Sequence, residues 1–141
     1  MSWLLDTCVV SELVKQKPRA SVVGWLNSCE ESSIHLSVIT LGELEKGIAR
    51  LVDGTRRAKL TAWVRRDLVD RFSGRVLTID TAVAMRWGAL VGASEARGVP
   101  LPVIDSLIAA TALVHDLTVV TRNTEDFDRC GVRCFNPWED A

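Results

Sequence analysis

The 141-residue sequence lacks the features that would place it in a membrane or export it from the cell. Charged or polar residues interrupt every apolar run well before the roughly 20 residues that a membrane-spanning helix needs. The opening segment, MSWLLDT, has no basic residue and reaches an acid after three apolar residues, so it does not resemble a secretory signal. We therefore expect a cytoplasmic globular protein without a membrane segment, forming a single domain over residues 1–141.

Several common catalytic signatures are also absent. The sequence contains neither a P-loop nor a GxGxxG loop, and it has no GxSxG nucleophile motif. Histidine is scarce, since only His35 and His115 are present. His35 falls within a predicted strand and His115 near the end of an apolar helix, where structural roles are expected. The sequence therefore does not favour nucleotide binding or a Ser-His-Asp triad.

The four cysteines do not predict a metal site. Cys130 and Cys134 stand in CGVRC with a three-residue gap, and no second pair of cysteine or histidine residues lies near them. In a reducing cytosol the thiols would remain unpaired. We expect Cys8, Cys29, Cys130 and Cys134 to be buried or half-buried free thiols.

The net charge of −1 gives no overall indication of nucleic-acid binding, but the basic residues are unevenly distributed. Seven lysines and arginines lie between Thr55 and Arg75, against two acids. The periodicity predicts an amphipathic helix with these basic residues on its outer side. That side could bind a polyanion, or it could be an ordinary solvated surface, and the sequence leaves both interpretations open.

Short apolar runs alternate with longer segments of helical periodicity along the whole chain. Five runs predict strands, and helical segments separate them. Strands separated by helices favour a parallel sheet covered on both faces. In chain order the predicted strands are WLLD, IHLSVI, RVLTID, LTVVTR and VRCFNPW.

Acidic and amide side chains fall where these predicted strands end or where the following helices begin. The carboxyl ends of parallel strands meet at one edge of a sheet and form its ligand crevice. We therefore expect these side chains to lie along one rim. They are Asp6, Glu43, Asp105, Asn123 and Asp126.

Each of these side chains could instead have a purely local role at a helix start. Asp6 could cap the first helix, and Asp105 could cap the helix that follows the proline-containing loop. Thr40 and Glu43 fit the T-x-x-E capping box. Asn123 could cap a short helix in the same way. Taken one at a time, the residues do not decide between capping and a shared site.

Their joint position favours a metal site. At an effective dielectric of ~20, like charges about 6 Å apart cost roughly 3 kcal/mol per pair, so clustered acids need compensation. A divalent cation supplies it, and ligand sets made only of carboxylates suit Mg²⁺ or Mn²⁺ rather than zinc. Without a nucleophilic side chain, the natural chemistry is attack on a phosphate by water that the metal activates.

The same segments resemble the motifs of PIN-domain proteins. LLDTCVVSE is similar to the first motif, SVITLGELEKGI to the second, PVIDSLIAATAL to the third and LTVVTRNTEDF to the fourth. FNPW resembles the tail of VapC-like and FitB-like toxins within that family. The matches occur in order from Leu4 to Trp138 and so span nearly the whole chain.

This resemblance implies a three-layer α/β/α sandwich around a central, mainly parallel sheet of four to five short strands. It also implies a Mg²⁺-dependent endoribonuclease, with Mn²⁺ as a possible substitute. Asn123 occupies a position that is sometimes acidic in the family, but Asp126 keeps a charge where the site needs one. The implied metal-binding and catalytic residues are Asp6, Glu43, Asp105 and Asp126, with the hydroxyls of Thr7 and Thr121 beside them.

The resemblance further implies partners. VapC-like toxins act as homodimers, cleave RNA and pair with a small antitoxin, whose C-terminal segment often places an arginine near the acids. Five tryptophans include candidate anchor sites for such a segment, and the basic helix from Arg56 to Arg71 could guide the RNA backbone. The alternative is a catalytically silent PIN-like module that acts as a co-repressor subunit with a DNA-binding antitoxin.

Overall fold

The structure, a computed structural model, describes residues 1–139. Its strands are β1 (Trp3–Leu5), β2 (Ile34–Ser37), β3 (Val76–Leu77), β4 (Thr118–Val120) and β5 (Cys134–Phe135). The helices are α1 (Thr7–Glu12), α2 (Ala20–Ser28), α3 (Val38–Ala49), α4 (Thr55–Ala62), α5 (Val69–Arg71), α6 (Thr81–Ala96), α7 (Val103–His115) and α8 (Thr124–Arg129). A 3₁₀ turn (Glu31–Ser33) precedes β2, and a π-helical segment (Trp63–Leu68) joins α4 to α5. In this described part of the chain, no helix is both long and apolar enough to cross a membrane.

The five strands form one sheet in the order β3-β2-β1-β4-β5, and every neighbouring pair is parallel. The predicted parallel sheet of four to five strands is therefore confirmed. The first strand lies in the middle, where Trp3 is in register with Ile34 on one side and Thr118 on the other. The ladder continues one residue beyond β1, because the backbone N–H of Asp6 donates to the carbonyl of Val120 (2.9 Å).

Helices cover both faces of this sheet. Leu4 and Leu5 are both buried and point to opposite faces, since side chains alternate along a strand. Leu5 belongs to a core cluster formed with α1, α2 and the π-helical segment. Leu4 belongs to a second cluster formed mainly with α7 and α8. Two cores on either side of one sheet make the three-layer α/β/α sandwich, as expected.

The helix after the second strand begins earlier than the capping box predicted. The hydroxyl of Ser37 accepts from the backbone N–H of Ile39 (3.0 Å), so Ser37 is the N-cap of α3. Thr40 is buried inside the helix rather than at its start. The predicted capping role of Thr40 and Glu43 is therefore wrong, because Ser37 offers an earlier hydroxyl cap, and the Glu43 carboxylate is available for other contacts.

The helix after the proline-containing loop also begins early. Its N-cap is Pro102 (φ −58°), and α7 starts at Val103, so Asp105 lies in the first turn rather than at the cap. Proline suits this place because its fixed φ matches the helix entry and its missing N–H would be unpaired there anyway. The capping interpretation of Asp105 is wrong. Asn123 does occupy the N-cap position of α8, as the sequence suggested, but its side chain makes no cap hydrogen bond.

The carboxylate of Glu12 fixes the far end of α1, the helix that follows Asp6. Glu12 is only 4% exposed, and it accepts from Lys15 Nζ (2.9 Å) and from the backbone N–H of Arg19 (2.9 Å). The hydrogen bond from Lys15, followed by that from the Arg19 backbone, holds the pKa of Glu12 below its usual range. Glu12 thereby joins the end of α1 to the start of α2.

The four cysteines are free thiols, as expected. Burial is the main cause that raises the pKa of Cys130 and of Cys134 to about 11, so both remain protonated at neutral pH. His35 has a structural contact, since its Nδ1 hydrogen-bonds to the carbonyl of Trp3 (3.2 Å). Trp3 in turn packs edge-on against Trp25, with ring centroids 5.1 Å apart. These side chains therefore stabilise the fold.

Candidate active site

Asp6 stands at the carboxyl end of the central strand and makes two hydrogen bonds in different directions. Its Oδ1 accepts from the backbone N–H of Thr7 (2.8 Å), which caps α1. Its Oδ2 accepts from Thr121 Oγ1 (2.8 Å), just beyond β4. Asp6 is 5% exposed. One carboxylate thus both caps its helix and faces the neighbouring strand end, so the two sequence interpretations of Asp6 do not exclude each other.

The hydroxyl of Thr7 connects Asp6 to α3. Thr7 Oγ1 donates to Glu43 Oε1 and lies 3.3 Å from Thr40 Oγ1. Glu43 is therefore tied to the first turn of α1, directly beside Asp6. On the other side of Asp6, the hydroxyl of Thr121 also accepts from the backbone N–H of Asn123 (2.9 Å). The two threonine hydroxyls predicted beside the acids thus lie in hydrogen-bond contact with them.

Asp105 experiences the charge of all the other predicted acids. Its pKa is raised from 3.8 to about 6, first because it is partly buried and then because Asp6, Asp126 and Glu43 carry charge nearby. A hydrogen bond with Asp126 adds to this shift. Asp6 at the end of β1, Glu43 in α3 and Asp126 in α8 therefore lie within electrostatic range of Asp105 in α7, at the carboxyl edge of the sheet. None of them is a neighbour of another in sequence.

Asp126, rather than Asn123, interacts with Asp105. Asp126 is half-buried in the first turn of α8 and interacts with Asp105, while Asp126 Oδ1 lies 3.7 Å from Arg129 Nη1. Asn123 is exposed and contributes its backbone N–H to Thr121. The structure brings Asp126 into the acidic cluster and leaves the Asn123 side chain outside these contacts. The catalytic role of any of these residues remains a prediction.

The donor chemistry of this cluster fits a hard cation, although its oxygens are not fully converged. Within residues 1–139, no group of three or more His, Cys, Asp or Glu side chains is already arranged to hold an ion. Mg²⁺ does not need such a group, because it commonly keeps several waters and binds only one or two carboxylates directly. Asp6 and Asp105 as direct ligands, with Glu43 and Asp126 acting through water, would fit that preference.

Sequence reasoning missed the involvement of Cys8. Its Sγ lies 3.6 Å from Asp6 Oδ2 and 3.7 Å from Thr121 Oγ1. Burial, followed by the charge of Asp6, raises the pKa of Cys8 to about 11, so the thiol stays neutral beside the acid. The available signal was its spacing, two residues after Asp6 at the start of a helix.

The basic stretch is less available for ligands than its composition suggested. Arg65 forms two hydrogen bonds with Glu45 (2.8 and 3.2 Å), while Arg71 and Arg75 both bind Glu31. For these three residues the solvated-surface interpretation is the better one. In the part of the chain that the structure describes, four other cations of the stretch have no carboxylate partner: Arg56, Arg57, Lys59 and Arg66.

The raised pKa of Asp105 predicts an unusual pH dependence of stability. Because folding raises this pKa, the folded state binds a proton more tightly than the unfolded chain, and stability is lost as the pH rises from about 4 through about 6. Asp105→Asn should raise the free energy of unfolding at pH 7 and flatten its dependence between pH 4 and 6. Urea denaturation at several pH values measures both quantities. Asp53→Asn, at an exposed acid, serves as control. If the stability of Asp105→Asn depended on pH as that of the unmodified protein does, the proposed clustering of the four acids would be contradicted.

Comparison with known proteins identifies the family of this chain. The family described as PIN domain matches residues 3–132. The chain is 38% identical over 137 residues to Toxin FitB of Neisseria gonorrhoeae, covering 97% of this chain and 99% of that protein. It is 34% identical over 138 residues to a VapC ribonuclease of Sinorhizobium fredii, covering 98% and 99%. A solved structure of FitAB bound to a DNA fragment has a TM-score of 0.92 at 35% identity, covering 99% and 97%. The chain therefore belongs to the PIN-domain family.

Proposed function

We propose that this protein is a divalent-metal-dependent endoribonuclease and the toxin of a toxin–antitoxin pair. One observation chiefly supports the nuclease: burial, together with the nearby charges of Asp6, Asp126 and Glu43, raises the pKa of Asp105 to about 6. Relatives that match over nearly the full length are named a toxin and a ribonuclease, which supports both halves of the proposal.

The acids would hold the cation, and the threonines would orient the acids. Mg²⁺ or Mn²⁺, when bound, supplies Lewis acidity at the phosphate and lowers the pKa of the attacking water. Asp6 and Asp105 are the proposed direct ligands, with Glu43 and Asp126 completing the site. Thr7 and Thr121 each donate a hydrogen bond to one of these carboxylates, Glu43 and Asp6 respectively, which restricts its rotation. Asp105 must lose its proton to bind a cation, so metal affinity should fall as the pH drops below about 6.

Loss of either proposed direct ligand should abolish RNA cleavage. Asp105→Asn and Asp6→Asn remove one negative charge each while keeping nearly the same side-chain volume, so cleavage should fall at least 100-fold with the fold intact. The assay incubates purified protein with total cellular RNA in Mg²⁺ and in EDTA, then maps the cut ends. Asp116→Asn, at an exposed residue paired with Arg133, is the matched control. Cleavage that persists in EDTA would contradict metal dependence.

A second candidate function is the catalytically silent co-repressor module. Two observations favour it: residues 1–139 contain no group of three side chains ready to hold an ion, and the similar FitAB complex was solved on DNA. In that case the acids would only receive a basic peptide. Calorimetric titration distinguishes the two functions, because a binding module has no reason to take up Mg²⁺ at millimolar concentration.

An apolar groove beside the acids supports the proposed antitoxin partner. The groove has a volume of about 220 Å³ and begins at Thr7 and Glu43, so a peptide lying in it would reach the acidic cluster. An acidic cluster attracts a guanidinium group, and a tryptophan is a suitable apolar anchor. Its apolar lining comes from Leu44, Ile48, Leu51, Leu60, Trp63 and Val64.

Filling the groove without disturbing the fold should block this partner. Gly47 lines the groove, and a Cβ added there would meet no atom within 4 Å. Gly47→Leu should leave stability equal or raise it by about 0.5–1 kcal/mol, since glycine disfavours helix interiors. It should also reduce binding at least tenfold, measured by co-purification and calorimetry with the small protein encoded beside the gene. Gly24→Leu, equally open but on α2, is the control. Unchanged binding by Gly47→Leu would exclude this groove.

The homodimer implied by the resemblance is also proposed. Exposed apolar side chains on the paired helices α6 and α7 give it a candidate surface, since Met85 is 71% and Val103 61% exposed. Exposed apolar side chains on neighbouring helices can mark an association site. Sedimentation equilibrium at micromolar concentration should detect a dimer that Met85→Glu weakens, and a monomer at all concentrations would contradict it.

A further inference from the structure

Arg122 directly follows the residue that hydrogen-bonds to Asp6. The hydroxyl of Thr121 donates to Asp6 Oδ2 (2.8 Å), and the backbone N–H of Arg122 donates to Cys8 Sγ (3.5 Å). Arg122 is exposed and leaves the sheet at the same carboxyl edge as the acids. Its backbone is therefore fixed against the acidic site from two sides.

The guanidinium of Arg122 is held by an aromatic ring instead of a carboxylate. Its Cζ lies 5.5 Å from the ring centroid of Trp138. Within residues 1–139 no carboxylate comes into ion-pair range of Arg122, whereas Arg129, the arginine beside Asp126, is paired with both Glu125 and Asp126. Arg122 therefore brings a positive charge to this edge that the described acids do not neutralise.

Trp138 is a rigid support for this cation. It is 8% exposed and belongs to the core cluster that contains Leu5. Its backbone N–H donates to Asn136 Oδ1 (2.9 Å), which closes the turn that follows β5. A guanidinium stacked on an aromatic face keeps its N–H edge available for a planar or phosphate acceptor. The contact with Trp138 restricts the side chain in part, so less rotational entropy is lost on binding.

We propose that Arg122 binds a backbone phosphate of the substrate RNA beside the site of cleavage. This inference rests on the proposed ribonuclease function. It identifies Arg122 as a residue that attracts the RNA backbone to the edge of the sheet where the acids lie. The chemistry fits, because arginine binds phosphate through two parallel hydrogen bonds. The positive charge of Arg122 also offsets the repulsion between RNA and the acids that surround Asp105.

The test measures RNA binding separately from cleavage. Asp105→Asn serves as the background, because it should be inactive and carries one negative charge less. Binding of a fluorescently labelled single-stranded RNA is followed as a function of salt concentration. Adding Arg122→Ala should weaken binding about 5- to 20-fold and lower the slope of log K against log salt by about 0.7, the value for one phosphate contact on a single strand. Arg122→Lys should retain the slope and recover part of the affinity.

A matched arginine controls for the general effect of charge. Arg133 directly precedes β5, so it lies at the amino edge of the parallel sheet, opposite the acids. Arg133→Ala should change neither the affinity nor the salt slope by a comparable amount. A purely structural role of Arg122 would lower the melting temperature without changing the salt slope, and this result would overturn the proposal.

The outcomes also separate this proposal from the ribonuclease proposal. If the unmodified protein cleaves RNA but Arg122→Ala leaves affinity and slope unchanged, only the role of Arg122 is overturned. If the unmodified protein does not cleave RNA while Arg122→Ala still lowers the slope, the ribonuclease proposal fails and Arg122 remains an RNA-binding residue. An absence of RNA binding by the Asp105→Asn background, even at low salt, would overturn the role of Arg122.

Discussion

The two hydrogen bonds of Asp6 are the interaction on which the arrangement of the edge depends. One oxygen closes the first turn of α1 at Thr7, and the other binds the hydroxyl of Thr121 beyond β4. The first bond fixes the direction in which the chain leaves the central strand. The second fixes that strand end against its neighbour. Thr7 is then placed to reach Glu43, so a single buried carboxylate organises the contacts from which the site is built.

Placing the acids close together destabilises the folded protein electrostatically. Burial, together with the charges of Asp6, Asp126 and Glu43, raises the pKa of Asp105, which means that its charged form is disfavoured in the folded protein. Local devices limit this cost: hydroxyl donors serve Asp6 and Glu43, and Asp105 and Asp126 lie in first turns of helices, where the helix dipole favours negative charge. Unfavourable electrostatics concentrated at one edge of an otherwise ordinary fold is typical of functional sites.

Much of the fold could be predicted from sequence, because the number of strands, their parallel arrangement and the positions of their ends follow from apolar periodicity and from the helices between them. The starts of α3 and α7 could not be predicted, since Ser37 and Pro102 supply caps that local pattern alone ranks no higher than Thr40 or Asp105. The contacts of Cys8 and the contact of Arg122 with Trp138 could not be predicted either. Cys8 contacts Thr121, more than a hundred positions away, and Arg122 contacts Trp138, about sixteen positions away. Only the packed sheet brings these residues together. The acidic cluster could be predicted because it depends on the topology of the sheet rather than on details of side-chain packing.

The position of β1 in the middle of the sheet determines which unfolding events can disrupt the site. Asp6 extends a strand that is paired on both sides, and its own amide is bonded to Val120. Fraying and nicking of surface loops proceed from the periphery of a domain and do not reach such a strand. The carboxylate edge should therefore persist through local fluctuations and disappear only when the whole sheet unfolds. Disposal of this protein in a cell would then require a protease that can pull apart an entire domain.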